Sequence, residues 1–219
     1  PSTTDMSMQR KTLEVAREYH LKHWEIADPQ GQVVAHINMG LVHYLLKDLP
    51  SAMEQFKSAY KCAIEIGDLH GESIALANLG LLGKEQGDLD NARILIERHL
   101  ELSESLQDAK SSSDAYTQLG YLSEQKGEIE DAMQYLNKAR DMAISNEDQT
   151  KADELKCTIG VISGNAAFEQ LMHQIAQEFI TENNSLPMPP PPPQLSPSSS
   201  TSSSLSMAMA EYENENGEI

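Results

Sequence analysis

Residues 72–106 read ESIALANLGLLGKEQGDLDNARILIERHLELSESL, and the order of residue types in this stretch decides the fold. Between Glu72 and Gln86, the residues Ile74, Ala75, Ala77, Asn78, Leu79, Leu81 and Leu82 make a largely apolar stripe at the helical period. Gly87 ends that helix, because glycine takes the left-handed conformation just past a helix without steric cost. Asp88 then serves as N-cap, its carboxylate accepting from the first amides of a second helix over about Asn91 to Leu106. The stretch is a helical hairpin.

Working outward, the hairpin returns every forty residues. Glycines stand at Gly40, Gly80, Gly120 and Gly160, each preceded by an apolar residue (Met39, Leu79, Leu119, Ile159). Five residues before them lie Ala35, Ala75, Ala115 and Leu155. Twelve after the first three lie Ala52, Ala92 and Ala132, then Phe56, Ile96 and Leu136, then Ala59, His99 and Ala139. The Gly-acid turn recurs as Gly127-Glu128 and, in the first repeat, as Lys47-Asp48 with Pro50 early in the next helix, where its missing N–H costs nothing. A second turn closes each repeat at Asp28-Pro29-Gln30-Gly31, Gly67-Asp68-Leu69-His70-Gly71, Leu106-Gln107-Asp108 and Asn146-Glu147-Asp148. The small residues have a packing reason: antiparallel helices approach to roughly 8–10 Å only where one side lacks bulk. Gly40, Gly80, Gly120, Ala52, Ala92 and Ala132 meet that need.

The ends depart from the period. Leu13, Ala16 and Tyr19-His20 match Met53, Phe56 and Ala59-Tyr60, so Leu13 to Ala27 reads as the second helix of a repeat and the reading expects further repeats before Pro1. After Gly160 the turn signal Gly164-Asn165 comes early, and Ala166 to Ile180 carries the stripe Phe168, Leu171, Met172, Ile175 and Phe179, which reads as a capping helix. One bent helix and two separate helices both fit this segment. The expected layout is a flexible opening over 1–8, a repeat region over 9–182 and a disordered tail over 183–219. The repeat region divides into a partial repeat 9–28, repeats 29–68, 69–108 and 109–148, and a terminal repeat with its capping helix over 149–182. The tail holds Pro189 to Pro193, a Ser/Thr run over 196–206 and acidic residues to the end, a composition that buries no core. Its proline run fits an SH3, WW or profilin ligand in polyproline II form, or a plain solubilising segment.

The pattern small–x4–Gly–x11–Ala–x3–large–x2–Ala resembles the tetratricopeptide repeat (TPR) family over about Met8 to Ile180. The repeat here is 40 residues rather than 34. The forty-residue form is similar to that of the LGN/Pins polarity adaptors and of several ciliary and flagellar TPR proteins. The departures are the lack of a Trp four residues before the glycine, the lack of a proline closing the second helix, and His99 in place of a small residue. The resemblance implies an all-α fold, a right-handed superhelical solenoid of antiparallel helix pairs whose first helices line the concave face. It also implies the ligand-facing positions: Val34, Ile37, Leu41, Tyr44 and Leu45; Ile74, Ala77, Leu81, Lys84 and Glu85; Asp114, Thr117, Tyr121, Glu124 and Gln125. TPR domains that clamp a chaperone's C-terminal carboxylate carry Lys and Asn where this chain has Ile37 and Leu41, so that specificity is not expected. LGN-type repeats have Asn after the glycine, where this chain has Leu41, Leu81, Tyr121 and Val161.

Composition bounds the function. The chain has 219 residues, 34 acidic against 16 basic side chains, and a net charge of −18. A pI near 4.6 opposes binding to nucleic acid or an anionic membrane surface. The longest apolar run, Ile74 to Gly83, is half the ~20 residues a membrane span needs. Cys62 and Cys157 read as free thiols of a reducing compartment, cytoplasmic or, by the resemblance, ciliary. No zinc helix, calcium loop, P-loop, dinucleotide fingerprint or nucleophile elbow occurs. The reading is a non-catalytic scaffold with no cofactor and no metal, holding a partner's helix or extended segment in the groove. The alternative is a structural subunit of a ciliary, axonemal or transport assembly that binds through convex and end surfaces.

Overall fold

The computed structural model describes residues 3–185, with side chains over 7–181. Eight helices and no strand lie among the described residues: α1 (Thr3–Ile26), α2 (Pro29–Leu45), α3 (Leu49–Ile66), α4 (Leu69–Glu85), α5 (Leu89–Ser105), α6 (Ala109–Gln125), α7 (Ile129–Ser145) and α8 (Gln149–Ser185). Contacts divide the chain into two units, Pro1–His173 and Gln174–Ile219. Pro189 to Pro193 and nearly all of the expected tail lie outside the described residues.

Within the first unit, α2 pairs with α3, α4 with α5 and α6 with α7 most closely, while α1, α3 and α5 pack on the first helix of the next pair. In addition α2 touches α4 and α4 touches α6, so the first helices form one layer of an all-helical solenoid. α1 begins at Thr3, inside the expected opening over 1–8, and neither Gly nor Pro interrupts Thr3–Ile26.

The turns repeat every twenty residues, twice as often as the glycine period. Left-handed residues stand at Lys47, Gly67, Gly87, Gln107, Gly127 and Glu147. After each, the N–H of the next residue (Asp48, Asp68, Asp88, Asp108, Glu128, Asp148) reaches back over the turn to a carbonyl five residues earlier, at 2.8–2.9 Å. Those residues then cap the following helix. The carboxylates of Asp28, Asp48, Asp68, Asp88, Asp108 and Asp148 accept from the backbone N–H of Gly31, Ser51, Gly71, Asn91, Ser111 and Lys151. Glu128 is the exception and makes no side-chain cap. Its longer side chain accepts instead from Arg93 on α5, at 2.8 Å, tying two repeats together.

The glycine period has a more specific cause than general thinning. A Cβ on Gly40 would stand 2.4 Å from Phe56 Cε1, on Gly80 2.5 Å from Ile96 Cγ1, and on Gly120 2.6 Å from Leu136 Cγ. Each glycine is a hole for the large residue sixteen positions on, and Phe56, Ile96 and Leu136 are each fully buried. Ala52, Ala92 and Ala132 are buried beside these pairs.

The fourth repeat breaks this rule. Forty on from Gly127 and Glu128 the chain has Ala167 and Phe168, so neither the left-handed residue nor the cap is present. α8 therefore continues without a turn, through Gly164-Asn165 and Ala166–Ile180, as one helix to Ser185. Sixteen on from Gly160 stands Ala176, not a large residue, and among the described residues a Cβ on Gly160 or Gly164 would meet nothing within 4 Å. In the second unit, the described residues continue α8 from Gln174, with Ile175 and Ile180 exposed and Thr181 Oγ1 donating to Gln177 O at 3.0 Å.

Candidate groove along the first helices

Because α2, α4 and α6 end in the same kind of turn, their last turns line up in one layer. These turns carry Leu41, Tyr44 and Leu45; then Leu81, Lys84 and Glu85; then Tyr121, Glu124 and Gln125. Successive helices are linked here. Tyr44 donates from its hydroxyl to Glu85 Oε1 at 2.5 Å, joining α2 to α4. Lys84 Nζ stands 5.2 Å from the centroid of the Tyr121 ring, joining α4 to α6. Lys84, Tyr121, Glu124 and Gln125 line an open depression of about 450 Å³.

The hydrogen bond to Glu85, with burial and the carboxylate's charge behind it, raises the Tyr44 pKa above the ordinary phenol value. The hydroxyl stays a donor. Lys47 Nζ sits 5.4 Å from the centroid of the same ring. Toward the start of the layer, Leu45 and Lys47 join Leu13 and Arg10 of α1 around a second depression of about 460 Å³. Lys47 was not among the expected groove residues. Its signal in the sequence was that it occupies a left-handed position held by glycine in the next two repeats.

Several expected positions fall elsewhere. Ile37 is buried with Val33, Ala59, Ala63 and Ala75, so it is a core residue, and Ile74 packs half-buried against the same cluster. Asp114 pairs with Lys151 of α8, in a separate hollow that also includes Lys110, Ser113 and Asp148. Its charge is engaged there, away from the Tyr121 depression. Thr117 is half-buried and spends its hydroxyl on Ser113 O, at 2.7 Å. Val34, Leu41 and Leu45 are exposed on α2. Ala77 and Leu81 are half-buried on α4.

The arrangement offers apolar surface at one end and hydrogen-bonding and charged groups at the other. Among the described residues no cluster of three or more His, Cys, Asp or Glu is placed to hold a metal ion. No described helix is long and apolar enough to cross a membrane.

Comparison with known proteins agrees with this architecture. The tetratricopeptide repeat family profile matches residues 113–143. BtubC (BKLC) from P. vanneervenii superposes with a TM-score of 0.61 at 16% identity, covering 90% of this chain and 83% of that one. The Rap conjugation gene regulator of plasmid pLS20, in complex with a Phr peptide, superposes at 0.55 and 17% identity, covering 80% of this chain but only 52% of the regulator. The TPR-like repeats of a kinesin light chain from Podosopora anserina superpose at 0.52 and 10% identity, covering 74% and 90%. No curated protein matches the chain in sequence. The profile identifies a tetratricopeptide repeat over 113–143, and the structural neighbours share the fold.

Proposed function

We propose that this protein is a non-catalytic interaction scaffold that holds a helix or extended segment of a partner along the last turns of α2, α4 and α6. The observation that carries this reading is the linked row Tyr44·Glu85 and Lys84·Tyr121, which continues from the exposed Leu41 and Leu45 into the depression beside Glu124. Leu41, Tyr44, Leu81 and Tyr121 supply apolar anchors, and Glu85 and Glu124 favour a ligand bearing Lys or Arg. The pLS20 regulator, a neighbour in fold, is known in complex with a peptide, and this supports a peptide-like ligand.

The test is display selection of peptides on the intact chain, repeated on the variant carrying Leu41→Arg and Tyr121→Arg. Neither residue is fully buried, so helicity by circular dichroism should be retained. Loss of the selected binders by the variant is the expected result. Equal binding by both proteins overturns the groove assignment.

A second reading has an observation of its own. Met8, Val15, Tyr19 and Ile26 are exposed on α1, as are Val161 and Phe168 on α8, so the first and last described helices both offer apolar surface. This favours contacts through end surfaces, as in a ciliary, axonemal or transport assembly. Localisation of a tagged chain distinguishes a ciliary from a general cytoplasmic site. The Pro189–Pro193 segment is proposed as a separate SH3, WW or profilin ligand, tested by titrating such domains with the chain before and after Pro191→Ala with Pro192→Ala.

A further inference from the structure

α8 carries two apolar faces. One holds Ala152, Leu155 and Ile162, buried against the preceding repeat. At 100° per residue, Gly160, Val161, Gly164, Phe168, Leu171 and Met172 fall on the opposite side. Val161 is 61% exposed, Phe168 62%, Leu171 52% and Met172 49%, and among the described residues nothing stands within 4 Å of a Cβ on either glycine. In the three preceding repeats the corresponding glycine receives a large side chain from the second helix of its own pair. Here α8 continues in place of a turn and a second helix, and no described residue fills the holes at Gly160 and Gly164.

We propose that this face is covered by the same face of a second copy of the chain, with the two α8 helices antiparallel about a two-fold axis level with Ala166. This register sets Gly164 opposite Phe168 of the second copy, Gly160 opposite Leu171 of the second copy, and Val161 beside Met172 of the second copy. Knobs from one copy fill the holes of the other, by the rule that pairs Gly40 with Phe56 and Gly80 with Ile96 inside the chain. A two-fold contact requires such a self-complementary patch.

The charge pattern selects a second copy over other occupants. The chain carries −18, yet from Cys157 to Phe168 there is no charged residue, so two copies meet here without opposed carboxylates. An acidic tail or a basic partner would find no complementary charge on this stretch. The strip spans about 18 Å of helix from Gly160 to Met172. Two such strips bury on the order of 1,000 Å², the lower end for a specific interface. The dimer is therefore weak and concentration-dependent. Added salt strengthens it, by screening the repulsion between the rest of the two chains.

Sedimentation equilibrium of the full chain over a wide concentration range tests this. The expected result is a mass rising from 24.2 kDa toward twice that value, further at high salt than at low. Gly164→Leu fills the hole and Phe168→Ala removes the knob, so each alone should weaken the dimer about tenfold or more. The double variant exchanges knob and hole within one contact and should restore much of the affinity. Both positions are solvent-facing in the single chain, and circular dichroism checks that the helix is kept. A monomer at every concentration overturns the proposal, as do single variants that dimerise like the parent or a double variant weaker than both singles. Amide exchange over 160–172 supplies a second readout. Protection there that grows with concentration supports the dimer, whereas protection independent of concentration means that the chain's own tail covers the face and overturns it.

Discussion

Gly80 and Gly160 occupy the same place in the repeat and should respond oppositely to the same change. A methyl at Gly80 meets Ile96 Cγ1 at 2.5 Å, and Gly80→Ala should cost about 1–3 kcal/mol by overpacking. A methyl at Gly160 meets no described residue, and Gly160→Ala should stabilise by up to about 1 kcal/mol through helix propensity. Chemical denaturation of the two variants at low protein concentration checks both signs. A second residue-scale test concerns His99, buried on α5 where the flanking repeats have Ala59 and Ala139. Its Nδ1 is 2.8 Å from Ser73 Oγ, and Ser73 stands where the first repeat has Val33. Burial lowers the His99 pKa below 6.5, opposed by hydrogen bonds from the surroundings and by the charges of Asp114 and Asp108. The unfolded chain therefore binds the proton more readily than the folded one. Stability is full above the unfolded value and falls as pH drops through it. Ser73→Val with His99→Ala rebuilds the Val33–Ala59 pairing, and should flatten the change in urea midpoint between about pH 7.5 and 5.5. An unchanged slope would mean that other groups carry it.

At the scale of the element, the turns are the most regular feature and also hold most of the backbone strain. Lys47, Gln107 and Glu147 take φ of 63°, 56° and 59°, a conformation that costs side chains about 1–2 kcal/mol. Gln107→Gly should therefore raise the urea midpoint by an amount worth roughly 1 kcal/mol, less the freedom that glycine adds to the unfolded chain. The hairpins, their boundaries and the Asp caps were legible in the sequence because each depends on residue types that act locally. Glycine after a helix and Asp before one need no tertiary information. The continuous α8 was less legible. Gly164-Asn165 is a turn signal in isolation, but a turn also needs a left-handed residue followed by a cap in register, and Ala167-Phe168 supplies neither. The placement of the candidate residues on the first helices was legible in part. Tyr44, Lys84 and Tyr121 lie where the repeat pattern implies. The burial of Ile37 depends on Ala59, Ala63 and Ala75, and the capture of Asp114 depends on Lys151 thirty-seven residues away. Neither long-range contact leaves a mark in the local pattern.

At the scale of the whole molecule, charge separates the two proposed interaction surfaces. The chain is strongly acidic, and the row of first helices contributes Glu85 and Glu124 beside apolar anchors. A basic-apolar ligand should associate faster at low salt and lose that advantage as salt is added, whereas the α8 contact should gain from salt. One molecule then shows opposite salt responses at two sites, and stopped-flow association rates together with sedimentation measure them separately. The aligned last turns of α2, α4 and α6 are the proposed ligand site. The most direct measurement is amide and side-chain NMR of the intact chain titrated with a selected peptide. Shifts should track together at Leu41, Tyr44, Leu81, Lys84 and Tyr121, and vanish in the Leu41→Arg, Tyr121→Arg variant. Shifts confined to α3, α5 and α7, with these five residues unmoved, would contradict it.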